Sequence, residues 1–217
     1  MLASGFSWPD TVSPTRLGIG LIPFMNMEPE EVDATVLRAL SLGWNVVDFS
    51  RVYGSAVEKA QHLLRPERDR LFLAGKLYAR HADRAREHLE NMLRGFGTDH
   101  FDLLSLHDVS SREEFDMVMG PGGAMETLRE AKRKGQAVRL GMTGHWPPSL
   151  DYAVQSEEFD AITGPLNPCC LENLGIMQRA AFAGKMVLAI KTLGNGRIFG
   201  PEPLGWGLEA ELMPADS

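Results

Sequence analysis

Short apolar runs alternate with longer amphipathic segments over most of the chain, and this alternation constrains the fold more than any other feature. "RLGIGLI" (16–22), "NVVDF" (45–49), "RLFLAGK" (70–76), "HFDLLSLH" (100–107), "AVRLGMT" (137–143), "FDAITGPLN" (159–167) and "KMVLAIKTLG" (185–194) read as seven strands. The segments between them carry helical spacing. In 29–43, Val32, Val36, Leu37 and Leu40 fall on one face, behind an acidic first turn and ahead of a glycine stop. Further helices are expected around 56–64, 82–97, 122–135, 149–156 and 173–183.

Strands that are apolar throughout, each followed by a helix, indicate a parallel sheet covered by helices. No glycine-rich dinucleotide motif follows the first strand, which favours a (β/α) TIM-type barrel of about seven βα units over a doubly wound sheet. An eighth strand is not evident. Residues 1–200 are expected to form the barrel and 201–217, with three prolines, a C-terminal tail. The barrel therefore reads as incomplete, its last strand supplied by the tail, by another chain, or not at all. Open sheet edges are seldom left uncovered, so a homodimer or a partner chain closing the barrel is the expected assembly.

A net charge of −7 argues against nucleic acid or an anionic membrane as partner. No stretch is long and apolar enough to span a bilayer, and the start lacks a signal-peptide pattern, so the cytoplasm is the expected location. The two cysteines, Cys169 and Cys170, are adjacent and read as ordinary reduced thiols rather than a disulfide or a metal site.

In a barrel of this kind, functional residues gather where strands end. Asp48 falls at the end of the second strand, Tyr53 on the loop beyond it, Lys76 at the end of the third and His107 at the end of the fourth. Taken singly, these are a strand cap, a packed aromatic and a structural histidine. Their placement at three successive strand ends is what those readings do not anticipate. Together they suit proton donation to a carbonyl. A lysine ammonium lowers the pKa of a neighbouring phenol, an aspartate holds the lysine charged, and a histidine orients the substrate oxygen.

"GWNVVDFSRVYGSAVE", "LFLAGK", "FGTDHFDLLSLH", "AKRKGQAVRLGMTGH" and "VLAIKTLGNGRIFG" occur in an order and spacing that resemble the aldo-keto reductase family over residues 16–200. "GMTGH" and "IKTLGNG" are similar to a bacterial branch whose longer members carry iron–sulfur cysteines, which do not occur here. The resemblance implies a tetrad of Tyr53 as acid with Lys76, Asp48 and His107. It also implies hydride from NADPH and no metal. Thr143, Gly144 and Thr163 match the carboxamide site, with Thr163 where glutamine is usual. Lys191, Leu193, Gly194, Gly196 and Arg197 lie on the loop that matches the pyrophosphate cradle. The segment that grips the adenosine phosphate follows an eighth strand in the family and is expected to be missing.

Three functions stay open at this point. One is an NADPH-dependent reductase of a small carbonyl substrate. Another is a cofactor-independent isomerase, lyase or dehydratase on the same acid/base residues. The third is a non-catalytic subunit that needs a partner.

Overall fold

The computed structural model describes residues 12–199, so the expected tail at 201–217 and any eighth strand within it lie outside the described residues. Seven parallel strands form one sheet in chain order: β1 (Gly18–Gly20), β2 (Val46–Ser50), β3 (Phe72–Leu77), β4 (Phe101–Leu106), β5 (Ala137–Thr143), β6 (Ala161–Pro165) and β7 (Met186–Ile190). Helices α1 (Pro29–Ser41), α2 (Ala56–Leu64), α3 (Ala82–Phe96), α4 (Arg112–Met119), α5 (Ala124–Arg133), α6 (Pro147–Gln155) and α7 (Leu174–Phe182) lie between them. This is the expected (β/α) barrel architecture, and no pairing joins β7 back to β1 among the described residues.

All seven expected strands form. The first is cut to three residues, because Leu21 leaves the sheet and a 3-10 turn at Ile22–Asn26 follows. Helix α4 was not anticipated. Its signal was present as Ser111-x-x-Glu114, and the Ser111 hydroxyl accepts from the Glu114 N–H at 3.2 Å.

The sheet has two apolar faces. Phe72, Ala74, Leu103 and Ala161 cluster with Val46, Met186 and Leu188 on one side. Val47, Phe49, Leu73, Leu77 and Leu104 belong to the larger cluster formed with the helices, which includes Val36, Ala60, Leu89 and Leu128. Alternation along each strand produces this division. It makes the first set the barrel interior and the second the layer between sheet and helices. Strands β3 and β4 are buried along their whole length, whereas β7 is half-buried with Ala189 exposed, as befits the last strand of an open run.

The interior leaves no room for a side chain beside β5. A methyl group added at Gly141 would lie 2.6 Å from Ser105 Oγ, 3.1 Å from Leu103 Cδ1 and 3.2 Å from the Ala161 carbonyl oxygen. Gly141→Ala should therefore cost about 1–3 kcal/mol in urea unfolding. Gly175→Ala, exposed in α7 with open space around it, should instead stabilise by about 0.5–1 kcal/mol.

Candidate active site

Alternation within β2 and β3 determines which side chains meet. Asp48 follows Val46 by two residues, and Lys76 follows Phe72 and Ala74, so both point into the barrel. Asp48 sits in the middle of β2 rather than at its end, Lys76 is the penultimate residue of β3, and His107 lies one residue beyond β4. Pairing of Ser50 with Lys76 brings the long lysine side chain back over Asp48.

Lys76 is 2% exposed, and its Nζ lies 2.6 Å from Asp48 Oδ1. The two form a close, buried ion pair. Nζ also donates to Tyr53 Oη at 3.2 Å and to the Phe49 carbonyl at 3.4 Å. Burial works against the ammonium, but Asp48 and then Tyr53 outweigh it, and the lysine pKa is raised. Tyr53 comes from the turn after β2, where its N–H donates to the Ser50 carbonyl at 3.2 Å.

The phenol does not become more acidic overall, as the sequence reading expects. Burial raises the Tyr53 pKa, Lys76 lowers it and Asp48 raises it again, so the balance stands above the ordinary value. Tyr53 is thus held protonated.

The His107 ring lies edge-on to Tyr53 and to Tyr78, with centroids 5.8 and 5.6 Å apart. Its Nδ1 is 2.9 Å from Ser50 Oγ. Burial, followed by the nearby Lys76 charge, lowers the His107 pKa to about 3, and the imidazole is neutral at physiological pH. Arg80 braces the loop after β4 by donating to the carbonyls of His107 at 2.9 Å and Asp108 at 2.7 Å, and it pairs with Glu114 at 3.1 Å.

Sequence reasoning missed Ser50, Arg80, Asp108 and His145. Asp108 Oδ1 lies 2.7 Å from His145 Nδ1, and His145 Nε2 lies 3.2 Å from Lys191 Nζ, forming a three-membered chain across the rim. Burial alone would raise the Asp108 pKa, but its bond to His145 more than reverses this, and burial lowers that of Lys191. Asp108 and Lys191 both adopt φ 53°. Asp108 directly follows His107 and His145 ends "GMTGH", yet nothing in their spacing says that they meet.

Thr143 and Thr163 are buried and paired across β5 and β6, and Thr143 Oγ1 accepts the Asp108 N–H at 2.7 Å. The Gly144 N–H donates to the Thr163 carbonyl at 3.1 Å, and a methyl there would lie 2.6 Å from Ser149 Oγ. Beyond β7 the chain bends at Gly194 (φ 56°) and Gly196 (φ 87°), whose N–H groups close turns onto the carbonyls of Lys191 and Leu193. Leu193 is exposed, and the side-chain position of Gly196 opens onto free space. The side chains of Asn195 and Arg197 lie outside the described set. Cys169 and Cys170 are free thiols, exposed and half-buried, and burial together with Glu172 pushes Cys170 up to about 11. No group of side chains suited to a metal ion occurs, and no helix is long and apolar enough to cross a membrane, among the described residues.

Asp48→Asn leaves a buried ammonium without its counter-charge and should cost about 3–5 kcal/mol by denaturant unfolding, much of which Asp48→Asn with Lys76→Met should recover. His107 gives a second expectation. Below its ordinary value near 6.5, the unfolded chain takes up a proton that the folded site refuses. Stability is therefore complete above that pH and falls toward pH 3, by at most about 1.4 kcal/mol per unit. His107→Gln should flatten that part of the stability–pH curve relative to the unmodified protein.

The family model for "Aldo/keto reductase family" matches residues 16–202. Methylglyoxal reductase DkgB of Salmonella typhi is 26% identical over 183 residues, which cover 79% of this chain and 65% of that relative's length. The D-galacturonate reductase of Hypocrea jecorina is 28% identical over 141 residues, 61% of this chain and 42% of its own. Among solved structures, an aldo-keto reductase from Pseudomonas aeruginosa superposes with a TM-score of 0.73 at 24% identity, covering 86% of this chain and 76% of that one. The holo form of an aldo-keto reductase from Bacillus halodurans does so with a TM-score of 0.69 at 20% identity, covering 88% and 66%. These likenesses place the fold, and the family model places the sequence: the chain belongs to the aldo/keto reductase family.

Proposed function

We propose that this chain reduces a small aldehyde or ketone, with Tyr53 as proton donor, Lys76 and Asp48 as its electrostatic support and His107 beside the substrate oxygen. The observation that carries the reading is the buried lysine held between a carboxylate and a phenol. A carbonyl oxygen accepting from Tyr53 Oη–H gains negative charge as it is reduced and takes the proton. The phenolate left behind is stabilised by the ammonium 3.2 Å away. Asp48 keeps that ammonium charged throughout, so the site need not reorganise as charge moves.

The loop after β7 fits a nicotinamide dinucleotide. It is bent by two glycines, open at Gly196, and begins at Lys191, whose amine lies at the rim beside His145. Lys191, Leu193, Gly194, Gly196 and Arg197 would hold the diphosphate, and Thr143, Gly144 and Thr163 would lie on the nicotinamide side. Bound NADPH supplies the hydride. A second reading, proton transfer without a cofactor, is favoured by one observation: Thr143 and Gly144 already spend polar groups on internal bonds. Fluorescence titration separates the two readings. NADPH should bind, and absence of binding at millimolar concentration would leave the cofactor-independent reading.

Methylglyoxal, the substrate named for one relative, is the first carbonyl to assay. Tyr53→Phe should reduce the turnover number about 10²–10⁴-fold while NADPH still binds. Because the Tyr53 pKa is raised and reduction needs the protonated phenol, the rate should be level through neutral pH and fall only above tyrosine's ordinary range. The reverse oxidation should rise over the same alkaline interval. A reduction rate that declines between pH 6 and 8, within the unperturbed histidine range, would contradict this assignment of the donor.

A further inference from the structure

We propose that Ser50 is a positioning residue that fixes the His107 proton on Nδ1 and leaves Nε2 bare, able to accept from a hydroxyl but not to donate to a carbonyl oxygen. This rests on the reading of His107 as a group beside the substrate oxygen, but it concerns which way the imidazole is wired.

Ser50 is fully buried, and its hydroxyl has two neighbours within hydrogen-bonding distance: the Lys76 carbonyl oxygen at 3.1 Å and His107 Nδ1 at 2.9 Å. A hydroxyl carries one proton, so it can donate to only one of them. The carbonyl oxygen has no proton to give and must be the acceptor of its pair. The imidazole nitrogen can take either role. The β2–β3 ladder ends at the Ser50–Lys76 pair, and Arg51 has already entered the turn, so the strand offers Lys76 O no further rung. Buried carbonyls are seldom left without a donor, and Ser50 Oγ fills that place. Its lone pair then faces Nδ1, which must carry a hydrogen for the 2.9 Å contact to be a bond.

The neutral ring has one N–H, and with that proton on Nδ1, Nε2 is bare. Nε2 has no hydrogen-bond partner among the described residues. From the sequence, His107 is expected to orient the substrate oxygen. In this wiring Tyr53 is the donor, and His107 accepts from a hydroxyl, either the newly formed alcohol or a group beside it. The same serine thus ends a strand ladder and determines the direction of a hydrogen bond in the site.

The test is the imidazole ¹⁵N spectrum of the intact, resting protein near pH 7, with His107 identified among the six histidines by its loss in His107→Gln. The expected pattern is a protonated, pyrrole-type Nδ1 and a bare, pyridine-type Nε2. A protonated Nε2 in the unmodified protein overturns the proposal. Ser50→Ala removes the acceptor and should move His107 to the Nε2–H form or to a mixture of the two, whereas Ser50→Thr, which keeps the hydroxyl, should leave the pattern as it was. An unchanged spectrum in Ser50→Ala overturns the role of Ser50. Should that variant not fold, the unmodified protein and Ser50→Thr still decide, since loss of the Nδ1–H pattern in a folded threonine variant counts against the proposal. Because the spectrum is read without substrate, failure of the carbonyl-reductase reading would appear in the turnover assays and leave this result standing or falling alone.

Discussion

An ammonium group with almost no contact with water is the constraint around which the site is built. Removing Lys76 Nζ from solvent would discharge it unless something opposite in sign stood close by. Asp48 does so at 2.6 Å. That pairing requires β2 and β3 to be in one register, both residues to face inward, and the turn after β2 to return Tyr53 over the same nitrogen. An error of one residue in either strand would turn one partner outward among the helices. Fold and site are therefore not separable here: the parallel ladder that builds the barrel is also what compensates the charge.

The electrostatics around this pair divide labour between neighbours. Lys76 is stabilised as a cation, and the same cation helps to keep His107 neutral. Tyr53, between burial and the lysine, keeps its proton until a stronger base arrives. The charges are thus set by their neighbours before anything binds, a preorganised arrangement of the kind that can stabilise developing charge without moving.

Much of this was legible in the sequence because it depends on periodicity. Seven apolar runs and their helices fix a parallel sheet, and the positions of Asp48, Tyr53, Lys76 and His107 near strand ends bring them to one place. What was illegible depends on side chains meeting across distances that no local pattern encodes. Ser50 reads as an ordinary strand residue until its hydroxyl is seen between a carbonyl and an imidazole. Asp108 and His145 are 37 positions apart. The direction of the Tyr53 shift was also out of reach, since it depends on how far burial outweighs a charge whose presence the sequence does reveal. The early end of β1 has a local cause, the 3-10 turn that begins at Ile22.

The backbone at the rim carries one more message. Asp108 and Lys191 hold φ 53°, a conformation in which a glycine would sit without steric cost and which a lysine in particular resists. Loop shape alone would favour glycine at both places. The strain is tolerated where the two side chains reach His145 from opposite sides. At these two positions the backbone takes a glycine-like conformation while presenting a carboxylate and an amine to one imidazole, so the shape of the rim and its hydrogen-bonded chain are set by the same two residues.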